Sequence, residues 1–342
     1  MNFRKLSAFV LTVPVLLFLI SGCVNDTEHD PAKNGDKFKV GLVLGIGGRG
    51  DKSFNDSAYE GLQKGAGLPG VYTEYVELSQ GQDRESAMRL FAARGFDLIF
   101  GIGFMFTDDI TVLAREYPGL KFACIDYSFT DPDKIPSNLA ALRFAEEEGS
   151  FLVGVIASLV SETGKIGFVG GMDIPLIHKF EAGYRYGALY VNPMCEVLVS
   201  YAGVTADAFR DPARGKELAL AQYNKGAEII FHAAGSTGFG VFEAARETGR
   251  FAIGVDADQY QEAPRHILTS MIKRVDIAVY DTIRAAFSGD FTGGLHLFGV
   301  AEEGIGYIYD DNNRDLIPAA VIDKTEELRE QIIEGAIQIP VD

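Results

Sequence analysis

Two carboxylates and two phenylalanine rings stand where side chains of their kind could hold a small molecule. Asp126 closes the apolar run Phe122-Ala-Cys-Ile-Asp126, and Asp256 closes Phe251-Ala-Ile-Gly-Val-Asp256. A carboxylate just past a buried strand lies at the sheet edge where α/β proteins bind ligands, although taken singly it suits a helix cap or a turn better. Phe54 sits in a loop of Gly, Asp and Asn, and Phe209 in Thr205-Ala-Asp-Ala-Phe209-Arg-Asp-Pro212, immediately before a helix. Each ring reads equally as a hydrophobic staple or as the wall of a cleft. One from each half of the chain, they could clamp a flat ligand, with stacking worth about 1 kcal/mol or more. Gly235-Ser-Thr-Gly238-Phe-Gly240 joins a strand to a helix, where its backbone N–H groups either approach a ligand or make a tight turn. Lys273, in Ser270-Met-Ile-Lys273-Arg274, falls where the chain should cross between halves, and alone it reads as a solvated lysine.

Other chemistries fit less well. Gly45-Ile-Gly47-Gly48-Arg49-Gly50 matches a dinucleotide fingerprint, but Asp51 to Asn55 intervene before a convincing helix, which moves the glycines into a loop. Asp51 also separates Gly50 from Lys52, which spoils a P-loop. The chain has no His-Glu-x-x-His, Gly-x-Ser-x-Gly or Cys-x-x-Cys. Asp311-Asn-Asn-Arg-Asp315 lacks the glycine and closing glutamate of a calcium loop and reads as a solvated turn. Five His and three Cys in 342 residues leave little for a metal centre, so no metal, cofactor or catalytic group is expected. Lys and Arg number 31 against 48 Asp and Glu, a net charge of −17, which would repel a phosphate backbone and argues against nucleic acid.

The elements that must position these residues alternate regularly. Strand-like runs at 38–46, 71–78, 97–101 and 121–127 are separated by stretches of helical spacing at 57–65, 86–91 and 110–117. The rhythm restarts after Pro136, with strands expected at 139–144, 165–170, 196–202, 227–234 and 250–256. Helices are expected at 149–161, 176–190, 212–225 and 239–248. Continuously apolar strands between helices mean parallel sheets covered on both faces. Two such sets in a chain of this length mean two α/β lobes with a cleft at the carboxyl ends of their strands. Cys124, inside a strand, is expected to be buried packing, and Cys195 likewise to be a free thiol.

The first segment is an address. Arg4 and Lys5 precede an apolar run at 6–20, which ends in Ile20-Ser21-Gly22-Cys23. The run is short for a membrane span and ends in small residues before a cysteine, as in the bacterial lipobox. Residues 1–22 are therefore expected to be a lipoprotein signal, Cys23 the lipidated N-terminus, and the polar stretch 23–37 a tether.

Five motifs stand out together: Asp51-Lys52-Ser53-Phe54-Asn55, Gly149-Ser-Phe-Leu-Val-Gly154, Lys165-Ile-Gly-Phe-Val-Gly-Gly171, Phe180-Glu-Ala-Gly183-Tyr and Gly254-Val-Asp256. They resemble the basic membrane protein family, the purine nucleoside receptor A type of lipid-anchored substrate-binding protein of ABC importers. The resemblance runs from about Lys39 to the C-terminal helix. It implies the type I periplasmic-binding-protein fold: two Rossmann-like lobes joined by three crossovers, near Phe144, Lys273 and Asp290. The lobes would comprise 38–144 with 274–290, and 145–273 with 291–342. It further implies that Phe54 and Phe209 sandwich a base, that Asn55 and Asp126 read its edge, and that Asp256 takes two ribose hydroxyls. Lys273 and the backbone at Gly238 would add sugar contacts, and Gly103 to Phe106 would line the cleft. The loop before Asp51 departs from the family pattern by carrying Arg49 where many members have an aspartate. The implied partners are a nucleoside, an ABC permease and, through the lipid, a membrane facing the periplasm or cell exterior. A sugar or other polar solute is the alternative ligand; an exported nucleoside-cleaving enzyme and a surface sensor or adhesin are the alternatives to transport.

Overall fold

The computed structural model describes residues 37–78, 83–129 and 131–341. The expected signal peptide, Cys23 and nearly all of the tether lie outside these residues.

Up to the first crossing the chain runs β1 (Phe38–Val43), α1 (Phe54–Ala66), β2 (Val71–Val76), α2 (Arg84–Ala93), β3 (Leu98–Ile102), α3 (Thr107–Glu116), β4 (Lys121–Ile125) and β5 (Leu139–Phe144). It continues as α4 (Glu146–Val160), β6 (Lys165–Met172), α5 (Pro175–Val191), β7 (Glu196–Gly203), α6 (Pro212–Asn224), β8 (Ile229–Ala233), α7 (Gly238–Thr248), β9 (Phe251–Asp256) and β10 (Ile267–Lys273). The remainder is α8 (Val275–Ser288), β11 (Gly294–Phe298), β12 (Ile305–Tyr307) and α9 (Ala319–Ile333). Among the described residues the strands form two sheets, ordered β11-β5-β4-β3-β1-β2 and β12-β10-β9-β8-β6-β7. Strand for strand the second order repeats the first. Pairing is parallel except where β12 runs antiparallel to β10.

Local sequence explains the sheets. All of β3 and most of β4 are buried, as strands covered on both faces must be. Gly41 is flat because the Phe91 ring lies on it; a Cβ there would sit 2.6 Å from the ring. Cys124 and Cys195 are both buried free thiols.

The chain passes from one sheet to the other three times. The first two crossings lie at Ala145 between β5 and α4 and at Arg274 between β10 and α8. The third departs from the expectation. The segment 291–342 was expected wholly in the second lobe, with a crossing near Asp290; instead β11 pairs with β5 at the edge of the first sheet, and the chain crosses after Phe298. On this edge strand Leu295 and Leu297 are exposed, while Phe298 stacks on Phe144 at 5.2 Å. Its alternating pattern lacks the continuous apolar run that marks the inner strands. At the crossings, Ala145 N donates to Phe298 O at 3.0 Å and Arg274 N to Gly304 O at 2.8 Å, tying the three connections together.

Candidate functional site

A cavity of about 320 Å³ opens between the carboxyl ends of the two sheets. That volume suits a small organic ligand. Both Phe54, the first residue of α1, and Phe209, which ends a short 3-10 turn at Ala206–Phe209, line it. The Phe54 ring lies over Gly103, and the Phe209 ring lies on Gly171, where any Cβ would overlap it. Rings from opposite lobes thus face one space. Gly103, Phe104, Met105 and Phe106 line it as expected, and α5 adds Ile177 and Phe180.

Asp126 and Asp256 also line the cavity, at equivalent places in the two sheets, just past β4 and at the end of β9. Both adopt left-handed backbone conformations, with φ of 59° and 66°. Such geometry disfavours side-chain-bearing residues, and Asp tolerates it better than most. It turns each carboxylate out of the strand direction at the sheet edge. Asp256 Oδ2 accepts a short hydrogen bond from Ser53 Oγ of the other lobe. Burial pushes the Asp256 carboxyl up to about 6, against the opposing pull of Lys273 and Ser53.

Lys273, the last residue of β10, is fully buried rather than solvated. Its ammonium lies 2.7 Å from Asp126 and 3.0 Å from Glu146, and 5.0–5.7 Å from the centres of the Phe144, Phe54 and Phe180 rings. Burial opposes its charge, but Asp126, Glu146 and Asp256 outweigh it and hold the lysine above its ordinary range. Burial likewise pushes Asp126 up, with Lys273 pulling the other way. Glu146 feels burial too, yet Lys273 and Lys179 together hold it below the usual carboxylate range. Lys179 bridges Glu146 at 2.5 Å and Glu147 at 2.9 Å. The floor of the cleft is therefore one ion network that touches two of the crossings.

Two expected contacts fall elsewhere. Asn55 lines the cavity, but its Oδ1 accepts from Gly45 N at 2.9 Å, while Nδ2 donates to Asp51 at 3.0 Å and to Ile46 O at 3.3 Å. Its amide donors are already engaged in holding the glycine loop. Asp51 in turn accepts from the backbone N–H groups of Ser53, Asn55 and Asp56, capping α1. Gly238 is not at the cavity at all. The loop makes a 3-10 turn over Gly235–Thr237, so Gly238 begins α7, buried against the His232 ring, and Gly235 lines the cavity instead. Arg49 is likewise outside, stacked 3.6 Å from the Tyr59 ring centre and bonded to Asp56. Arg210 and Glu146 belong to the site or its floor without having been singled out, and Ser53 and Phe180 belong to it though quoted only as members of motifs. Phe180 is spaced with Ile177 and Tyr184 like any core face of a helix, which hides it.

Paired sheets, crossed connections and an interlobe cavity of this kind define a two-lobed α/β protein with its site between the lobes. The family model for the ABC transporter substrate-binding protein PnrA-like family matches residues 38–342, and the chain belongs to that family. It is 34% identical to the CD4+ T-cell-stimulating antigen of Listeria monocytogenes, over 99% of this chain and 98% of the relative. It is 35% identical to basic membrane protein A of Borreliella burgdorferi, over 88% and 87% of the two chains. An uncharacterized lipoprotein of Pyrococcus horikoshii is 34% identical, covering 94% of this chain and 84% of that one. Among solved structures, a solute-binding protein of an ABC transporter system from Aeropyrum pernix superposes with a TM-score of 0.80 at 30% identity, covering 89% and 94%. The fold also matches the periplasmic binding component of an arabinose ABC transporter from Shewanella, with a TM-score of 0.59 at 15% identity. The type I periplasmic-binding fold is thus the fold of this chain, and its family is one of ABC transporter substrate-binding proteins.

Proposed function

We propose that this protein is the lipid-anchored receptor of an ABC importer, outside the cytoplasm, and that it captures a nucleoside, most readily a purine one, between its lobes. The observation that carries this reading is the pairing of one ring and one strand-end carboxylate from each lobe around a single cavity. Phe54 and Phe209 stack on the two faces of the base. Asp126, which lines the cavity and accepts from Lys273 through Oδ1, also accepts from N–H groups on the base edge. Asp256 accepts from both hydroxyls of the ribose, releasing Ser53. Lys273 opposes the burial that favours the neutral acid at Asp126, and it stands beside the ligand. Closure follows because these contacts are complete only when both lobes are engaged. The permease then meets the closed form.

No acid–base pair is set against a leaving group in this scheme, so the ligand leaves unchanged. Calorimetric titration with inosine, guanosine, adenosine, 2′-deoxyinosine and ribose tests it. Tight binding of ribonucleosides, weaker binding of the deoxynucleoside and none of ribose is expected. Ribose binding without nucleoside binding would establish a sugar receptor, and free base appearing on incubation would establish an enzyme. Mass spectrometry of the mature chain tests the anchor: an unmodified Cys23 overturns it.

A further inference from the structure

A polar chain outside the cavity also joins the lobes. Gln259, fully buried beyond β9, donates from Nε2 to Lys52 O of the first lobe at 3.1 Å. Its Oε1 accepts from Val255 N at 2.8 Å, and its backbone N–H donates to Ser270 Oγ at 3.1 Å. The ring nitrogen Nε2 of His232, buried in β8, lies 3.2 Å from the same Oε1. Because Oε1 already faces an N–H, it is the amide oxygen, and His232 Nε2 must be the donor. Burial holds His232 down to about 4, so the imidazole is neutral and its other nitrogen, Nδ1, is a bare acceptor without a partner. The amide is thereby fixed with its NH₂ towards Lys52. Room for it comes from Gly254, where a Cβ would lie 2.9 Å from Oε1. Lys52 itself holds a left-handed conformation, φ 51°, which aims its carbonyl across the seam. The neighbouring residue, Ser53, makes the second seam contact, to Asp256.

The two seam contacts differ in kind. Asp256 lines the cavity and exchanges Ser53 for a ligand under the reading above, whereas neither Gln259 nor Lys52 reaches the cavity. We propose that the Gln259–Lys52 bond is a ligand-independent latch that keeps part of the empty protein closed, with His232 as the positioning residue that orients the latch amide. The latch rests on capture by closing lobes but not on the identity of the ligand. Any solute that needs the closed form gains affinity from it by the same factor, since it lowers the cost of closure and not that of any ligand contact.

Gln259→Glu separates latch from loop, because a carboxylate still accepts from Val255 and His232 but has no hydrogen for Lys52 O. Small-angle scattering of the ligand-free proteins should show a larger radius of gyration for Gln259→Glu than for wild type; equal radii overturn the latch, whether or not nucleosides bind. With a bound solute in hand, affinity should fall by one common factor, about fivefold for a single hydrogen bond, across ligands with and without the 2′-hydroxyl. A loss confined to one ligand would instead make Gln259 a ligand contact. His232→Leu should open the empty protein in the same direction, and the double variant should add nothing to Gln259→Glu. Additive opening refutes the positioning role. If His232→Leu does not fold, Gln259→Glu alone still decides the latch.

Discussion

Asp256 sits close to neutrality, and that makes its role testable by pH. An unfolded aspartate ionises near pH ~3.9, whereas burial places Asp256 at about 6. In the empty protein its contribution to stability is complete below the lower value and is lost as pH rises through the upper one. Ligand affinity runs the opposite way, because hydroxyl donors need the ionised carboxylate. Nucleoside affinity should therefore decline below about pH 6, and Asp256→Asn should flatten that dependence while weakening binding at pH 7.5; an unchanged pH profile in Asp256→Asn would remove Asp256 from the site. Asp256→Ala should cost roughly 2–4 kcal/mol of binding, read by calorimetry, since two charge-assisted bonds in a buried site disappear. Among single residues, the placement of Phe54, Phe209, Asp126 and Asp256 at the cavity was legible because apolar runs end on them or because a ring stands in a polar loop. Gly238 was misjudged because the loop has three glycines at near-equal spacing, and only the 3-10 turn selects Gly235. Asn55 has the right place, but its hydrogen bonds belong to the loop, which no spacing rule reveals.

At the scale of elements, the motifs that carry the family resemblance are largely packing devices. Gly154 of α4 and Gly183 and Gly187 of α5 let the two helices touch backbone to backbone: a Cβ at Gly154 would overlap Tyr184 O, at Gly183 Glu147 O, and at Gly187 Phe151 O. Gly183→Ala should destabilise the fold by about 1–3 kcal/mol in urea titrations, while the folded fraction binds ligand normally. The seam matters to function because α5 presents Ile177 and Phe180 to the cavity from the same helix. Lys273 makes a second point at this scale. Lys273→Met would leave Asp126 without its cation and Glu146 with Lys179 alone, and a loss of about 3–5 kcal/mol in chemical denaturation is expected. Strand and helix positions up to Asp256 followed from apolar periodicity, whereas β10, β11, β12, α8 and α9 were not assigned from it. Of these, β11 has the alternation of a half-exposed edge, a weaker signal than the buried runs of its neighbours.

The whole molecule repeats one plan twice, strand order for strand order, and sets the equivalent aspartates of β4 and β9 across a shared space. Two lobes were readable from the restart of the β-then-α rhythm; their interleaving was not, because periodicity reports elements and not the sheet each one joins. That interleaving bears on how the chain matures. Strand β5 gains its outer neighbour only when residues 294–298 arrive, after the entire β6–β10 sheet has been threaded through. A polypeptide emerging from its N-terminus therefore carries an open β5 flank until nearly nine-tenths of its length has appeared, and exposed flanks of this sort invite mispairing with other chains. Export in an unfolded form, as a leader sequence would demand, suits such a topology better than stepwise folding behind the synthesis machinery.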